Sequence, residues 1–236
     1  MKSYHSIETV FTRNKQTNVL DFGTIRNSVN EFIPEWAVSE KIDGTNIRVI
    51  VTLAGVEIRG RTDNANIHPE LIKTVEALFD HSTLIAYFTE YRGKELPEAW
   101  SVTFYGEGYG AGIQKGGCYS ATKKFRCFDL LLGESWWTAD TEMRRICADL
   151  RIPTAPWLGI TTVIPQTRDE LLALFPDGDS QVAIFDNGTA GVLPEGVVAK
   201  PLVPLFDTHG DRVMWKLTFR EWDKQPRQQK AKQEVA

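Results

Sequence analysis

Apolar residues alternate with polar ones, or gather in short β-branched blocks, over eight stretches of the chain: 36–42, 46–53, 57–61, 102–107, 125–132, 157–163, 196–200 and 213–219. A period of two over five to eight residues predicts half-buried strands. Helical periodicity is rarer. It predicts helices over 68–79, 141–150 and 167–175. In the first, Pro69 stands near the start, and Leu71, Ile72, Val75, Leu78 and Phe79 fall on one face. The third opens with a capping box, Thr167 and Glu170. Strands outnumber helices and do not alternate strictly with them. The pattern predicts an α+β fold with antiparallel sheets, not a doubly wound parallel one.

Composition narrows the class. The chain has 236 residues, 42% hydrophobic and 25% charged, so it can build a real core. No linker rich in Pro, Gly and Ser divides it. A single domain is expected over 1–222, followed by a polar, basic tail over 223–236 that carries Lys224, Arg227, Lys230 and Lys232. No apolar run approaches the roughly 18 residues of a spanning helix. The polar N-terminus has no secretory core, and Cys118, Cys127 and Cys147 form no CxxC pair, so a reducing, intracellular (cytoplasmic) setting is expected. The cysteines read as small buried apolar residues. His5, His68, His81 and His209 show no ligand spacing. The net charge of −4 argues against a non-specific nucleic-acid coat, but not against a nucleic-acid enzyme.

The candidate chemistry begins at Glu40-Lys41-Ile42-Asp43-Gly44-Thr45-Asn46, between two predicted strands. A lysine at a strand end before a glycine turn can present its amine to a cleft. An amine attacks phosphorus only when neutral, a form that nearby cations and desolvation favour. The same residues also read as an Asp-Gly turn beside an exposed lysine. Further along come Phe104 through Gly110 with Glu107 at a strand end, the run Phe125 through Leu131, then Glu195 through Lys200, and last Met214-Trp215-Lys216-Leu217. Each alone could be a turn, a core strand or surface charge. Five in this order point to one shared site.

This order resembles the covalent nucleotidyltransferase superfamily of polynucleotide ligases and mRNA capping enzymes. Lys41 matches its nucleotidyl-lysine, Gly60-Arg61-Thr62 the motif with an arginine about twenty residues on, and Glu107 the third motif. Phe128-Asp129 match the next, Glu195 through Lys200 the fourth and Lys216 the fifth. The run EKIDGTN and the later GEGYGAGIQKGG look like RNA ligases of the RNA ligase 2 type, although Asp43 stands where that type often has His.

The resemblance implies an ATP-grasp-like nucleotidyltransferase domain, two antiparallel sheets with flanking helices and the nucleotide between them. It implies an ATP-dependent RNA ligase. Lys41 would attack the α-phosphate of ATP and release pyrophosphate, AMP would pass to a 5′-phosphate end, and a 3′-hydroxyl would displace it. Phe128 would stack on adenine, Glu107 would bind the ribose, and Arg61 would contact ribose or the 5′-phosphate. Glu40, Ile42 and Asn46 would complete the nucleotide site. Glu195 would position Mg²⁺ or Mn²⁺, and Lys200 and Lys216 would hold the α-phosphate. The expected partner is RNA with 5′-phosphate and 3′-hydroxyl ends, and the expected state is a monomer. Alternatives are a small ATP-dependent DNA ligase, a capping-type guanylyltransferase, and a non-catalytic nucleic-acid-binding relative.

Two departures stand out. The fifth motif usually carries a KxK pair, and Thr218 stands at the second lysine. Arg220 would share its strand face and is the candidate substitute. Relatives also usually carry a further domain that grips nucleic acid. Only 17 residues follow Phe219, so a bare catalytic domain is expected, one that seals weakly, acts on pre-adenylylated ends, or takes its grip from a partner protein. Lys115, Lys123, Lys124 and Arg126 read either as a phosphate track or as a solvated face.

Overall fold

The computed structural model describes residues 4–223. In chain order the elements are β1 (Phe11–Arg13), β2 (Leu20–Ile25), β3 (Trp36–Lys41), β4 (Thr45–Thr52), β5 (Gly55–Gly60), α1 (Pro69–Glu76), α2 (His81–Arg92), β6 (Ser101–Tyr109), β7 (Lys124–Leu132), β8 (Trp136–Trp137), α3 (Asp140–Asp149), β9 (Trp157–Thr161), α4 (Arg168–Leu172), α5 (Gln181–Asn187), β10 (Gly196–Pro201), β11 (Trp215–Thr218) and α6 (Arg220–Asp223). Each of the eight expected strands and three expected helices has its counterpart. The fold is α+β, and the strands within each sheet pair antiparallel.

Two large sheets carry the molecule. One has the order β11-β10-β3-β9 and the other β5-β4-β6-β7-β8, while β1 and β2 make a small sheet of their own. Strand alternation gives each large sheet one apolar face. Ile47, Val49, Val102, Phe104 and Phe125 of the five-stranded sheet pack under α1, α2 and α3 through Leu71, Val75, Leu84, Phe88, Met143 and Ile146. Trp36, Val38, Val197, Ala199, Trp215 and Leu217 of the four-stranded sheet pack against β1, β2 and α4. The opposite faces line a cavity between the sheets. Ser39, Lys41, Val198, Lys200 and Lys216 share one, and Asn46 and Glu107 lie on the other.

The caps explain where the helices stop and start. Pro69 opens α1, and His68 Nδ1 accepts from the Glu70 amide at 3.3 Å. Thr167 and Glu170 form the expected capping box on α4. The pattern of apolar residues did not reveal α2 or α5. Both are nonetheless bracketed by cap residues: Asp80 and the left-handed Gly93 (φ 65°) around α2, Ser180 and Gly188 (φ 63°) around α5.

Only the turn Ile42-Asp43-Gly44 joins β3 in one sheet to β4 in the other. Gly44 is there for want of space. A Cβ would collide with the Gly108 carbonyl and the Glu107 side chain. The glycine therefore lets the nucleophile turn press against the strand that carries Glu107.

Of the expected tail, Asp223 closes α6 and is part of the fold; 224–236 lie outside the described residues. Cys127 and Cys147 are buried, whereas Cys118 is exposed, so burial does not account for all three cysteines. No helix among the described residues is long and apolar enough to cross a membrane.

Candidate active site

A cavity of about 340 Å³ opens between the two large sheets. Of the ten site residues expected from the sequence, nine line it: Glu40, Lys41, Ile42, Asn46, Arg61, Glu107, Phe128, Lys200 and Lys216. The tenth, Glu195, reaches it through Lys41. Its Oε2 lies 2.8 Å from Lys41 Nζ. Register explains the meeting. Gly196, next to Glu195, pairs with Lys41, and Val198 on the same strand pairs with Lys216 of β11.

The electrostatics are strained in a way that suits a bound anion and a cation. Burial pushes Lys216 below the usual lysine value, and the Lys41 charge adds to the effect while Glu8 opposes it. Burial drives the Glu107 carboxyl up to about 8; Lys41 opposes this, while Glu195 and Asp43 reinforce it. Asn46 Oδ1 is buried and takes no hydrogen bond from the described residues. It is an acceptor without a donor on the cavity wall.

Glu40 is different. Its carboxylate does not face the cavity with Lys41, because neighbouring strand residues point to opposite faces. It accepts from Ser180 Oγ at 2.6 Å and from the Val182 amide at 3.1 Å. Burial raises it to about 7 against those two bonds. Both carboxyls, ordinarily near 4.5, thus hold protons more tightly when folded. Their contribution to stability is full below about pH 4.5 and is lost as pH rises through about 7 and 8. The melting temperature of the free protein should fall from pH 6 to 8.5, and Glu107→Gln should flatten that fall above pH 7. Parallel profiles for the two proteins would contradict the assignment.

Lys200, expected at the α-phosphate, lines the cavity and has protein partners of its own. Its register partner is Ala37, four residues from Lys41 along β3, or about 13 Å at roughly 3.3 Å per residue. Its ammonium donates to the Phe128 carbonyl at 2.7 Å and pairs with Asp140 at 2.9 Å. Asp129, 3.9 Å away, is itself paired with Arg212 and accepts from Tyr4 OH. Lys200 thus anchors the Phe128 wall of the cavity to β10. Lys200→Met should cost about 2–3 kcal/mol in chemical denaturation, since Asp140 keeps Arg144 as a partner. A variant as stable as the parent would refute the anchoring role.

Other expectations also meet the structure. Arg61 is exposed at the cavity. Arg220 does not share a strand face with Lys216, because β11 ends at Thr218 and Arg220 opens α6. Thr218 Oγ1 is buried and has no hydrogen-bond partner among the described residues. Among the basic residues read as a phosphate track, Lys123 donates to the Ala111 carbonyl and Arg126 pairs with Asp186 at 2.8 Å. Sequence reasoning missed the N-terminal segment. Tyr4, His5, Ser6 and Ile7 line the cavity, and Lys216 exchanges backbone hydrogen bonds with Glu8 and Val10. Tyr4 meets the edge of Phe128 at 5.1 Å. The only local signal was Tyr4 and Ile7 in a polar stretch.

The donor set fits a divalent cation. Glu195 presents a carboxylate at the cavity, 2.8 Å from Lys41 Nζ, which a cation could share with phosphate oxygens. Mg²⁺ takes only one or two carboxylates beside phosphate oxygens and water.

Solved structures share this architecture. Naegleria gruberi RNA ligase with PPi superposes with a TM-score of 0.57 at 15% identity, over 93% of this chain and 62% of that one. A mutant of that ligase with ATP and Mn gives 0.57 at 15%, over 89% and 55%. An archaeal ATP-dependent RNA ligase gives 0.55 at 17%, over 94% and 49%. The chain thus spans between about half and three-fifths of these structures. The family model for RNA ligase matches residues 34–218, from just before β3 to the last residue of β11. With both large sheets inside that match, the chain belongs to the RNA ligase family.

Proposed function

We propose that this protein is an ATP-dependent RNA ligase that works through a lysyl-AMP intermediate. The observation that carries the reading is the contact of Lys41 Nζ with Glu195 Oε2 at 2.8 Å in a cavity that Lys216, Glu107 and Phe128 also line. Glu195 orients the amine and is the carboxylate within reach of its proton. Lys216, kept partly desolvated, faces the negative charge that builds on phosphorus. Phe128 and Val198 offer apolar surfaces to a purine, and stacking on such a face is worth roughly 1–3 kcal/mol. Asn46 and Arg61 supply polar contacts to the sugar and phosphates. Glu195 would hold a divalent cation, which when bound supplies Lewis-acid stabilisation of phosphate charge.

The similar solved ligases named above include one with ATP and Mn, one with PPi and one that is ATP-dependent, which supports nucleotide and cation as the cofactors here. RNA with a 5′-phosphate and a 3′-hydroxyl is the proposed substrate, with a partner protein as a source of extra grip. The test is sealing of matched RNA and DNA ends with ATP and Mg²⁺. Joining of RNA ends is expected. Joining of DNA nicks with no requirement for ribose would overturn the RNA assignment.

A further inference from the structure

We infer that α5 is a brace between the two large sheets, and that it fixes the position of Lys41 relative to Glu107. The inference rests on the activity proposed above for its kinetic consequence, and on geometry alone for the brace.

The two ends of this short helix hold different sheets. At its start, Ser180 Oγ and the Val182 amide donate to the Glu40 carboxylate at 2.6 and 3.1 Å. Glu40 is 2% exposed and directly precedes Lys41 on β3. Near its end, Asp186 takes Arg126 Nη2 at 2.8 Å and Tyr109 OH at 2.5 Å. Arg126 Nε also donates to Tyr109 OH at 2.7 Å, which closes a three-membered network. Arg126 is the register partner of Glu107, and Tyr109 lies two residues beyond Glu107 on β6.

The brace therefore grips the residue beside the nucleophile in one sheet and the partner of the pocket carboxylate in the other. Between these ends, Val182 and Ala183 pack with Ile42, Tyr109, Tyr119 and Ala155. Beside the Ile42-Asp43-Gly44 turn and the bond of Lys200 to the Phe128 carbonyl, this is a further tie between the sheets, made of buried hydrogen bonds and charge, and it is the one that holds the residues next to Lys41 and Glu107. Such networks hold one geometry because each group left unpaired is costly. Glu40 and Asp186 touch no reacting atom in this reading. They are positioning residues, and a small displacement of a nucleophile is enough to lose about 10²-fold in rate.

The experiment uses the whole chain and two readouts. Nitroxides on the exposed native Cys118 and on Ile160→Cys, at an exposed position of β9, report the spacing of the sheets; Cys127 and Cys147 are buried. Asp186→Asn and Glu40→Gln keep size and one acceptor while removing charge at either end. The inference expects a narrow distance distribution in the parent that broadens in both variants. It also expects the rate of lysyl-AMP formation at saturating ATP to fall roughly 10²-fold, with the half-saturating ATP concentration unchanged. Distributions as narrow as the parent's, or a loss confined to half-saturation, would overturn it. Should the parent form no adenylate, the distances still decide the brace, and only the proposed activity falls.

Discussion

Lys41→Ala is expected to abolish covalent nucleotide labelling and leave the fold intact. The side chain is partly exposed, and its ammonium touches Glu195 alone among the hydrogen-bonded side chains described. Its removal leaves Glu195 at a cavity open to water rather than sealed in a core, so the melting temperature should stay close to the parent's. A nucleophile has no substitute. Lys216 lines the same cavity, but its proposed part is to meet the phosphate charge rather than to attack. Label on the variant would remove Lys41 from the mechanism.

Lys216→Ala is expected to slow lysyl-AMP formation by about 10²–10³, with the protein still folded. Groups that meet transition-state charge in a desolvated site are typically worth that much. Burial and the Lys41 charge already disfavour the bare ammonium, so removing it relieves the free protein while taking away stabilisation that is needed when phosphate charge arrives. With Thr218 at the next position on that face and Arg220 turned into α6, no second cation of β11 can compensate. Single-turnover rates at saturating ATP check this, and a rate within a few-fold of the parent would place the phosphate elsewhere. Glu107→Ala should act in the same direction if Glu107 makes the proposed ribose contact.

Much of this was legible in the chain itself. The eight strands announced themselves because each buries one face, and a period of two survives in the residues. α5 did not, since Val182, Ile184 and Phe185 read equally as a strand; only Ser180 and Gly188 marked its ends. The motif order placed nine residues at one cavity, because their relative positions follow from strand register. What the order did not convey was where each polar head goes. Lys200 finds Asp140 sixty positions away, Glu40 turns to Ser180, and Tyr4 reaches Asp129. Such long-range partners leave no local pattern. The small-residue demand at Gly44 was visible as Asp-Gly turn chemistry, but its cause, the Gly108 carbonyl pressing from β6, belongs to the fold.

The central claim is a covalent bond between Lys41 and AMP, and the intact mass of the protein tests it most directly. The purified chain is first treated with pyrophosphate to strip any AMP already bound, then incubated with ATP and Mg²⁺ and weighed. The account predicts a gain equal to one adenylyl group (AMP less water), located on Lys41 by peptide mapping and reversed by fresh pyrophosphate. A stripped, folded protein that gains no mass from ATP, or gains it at another residue, would contradict it.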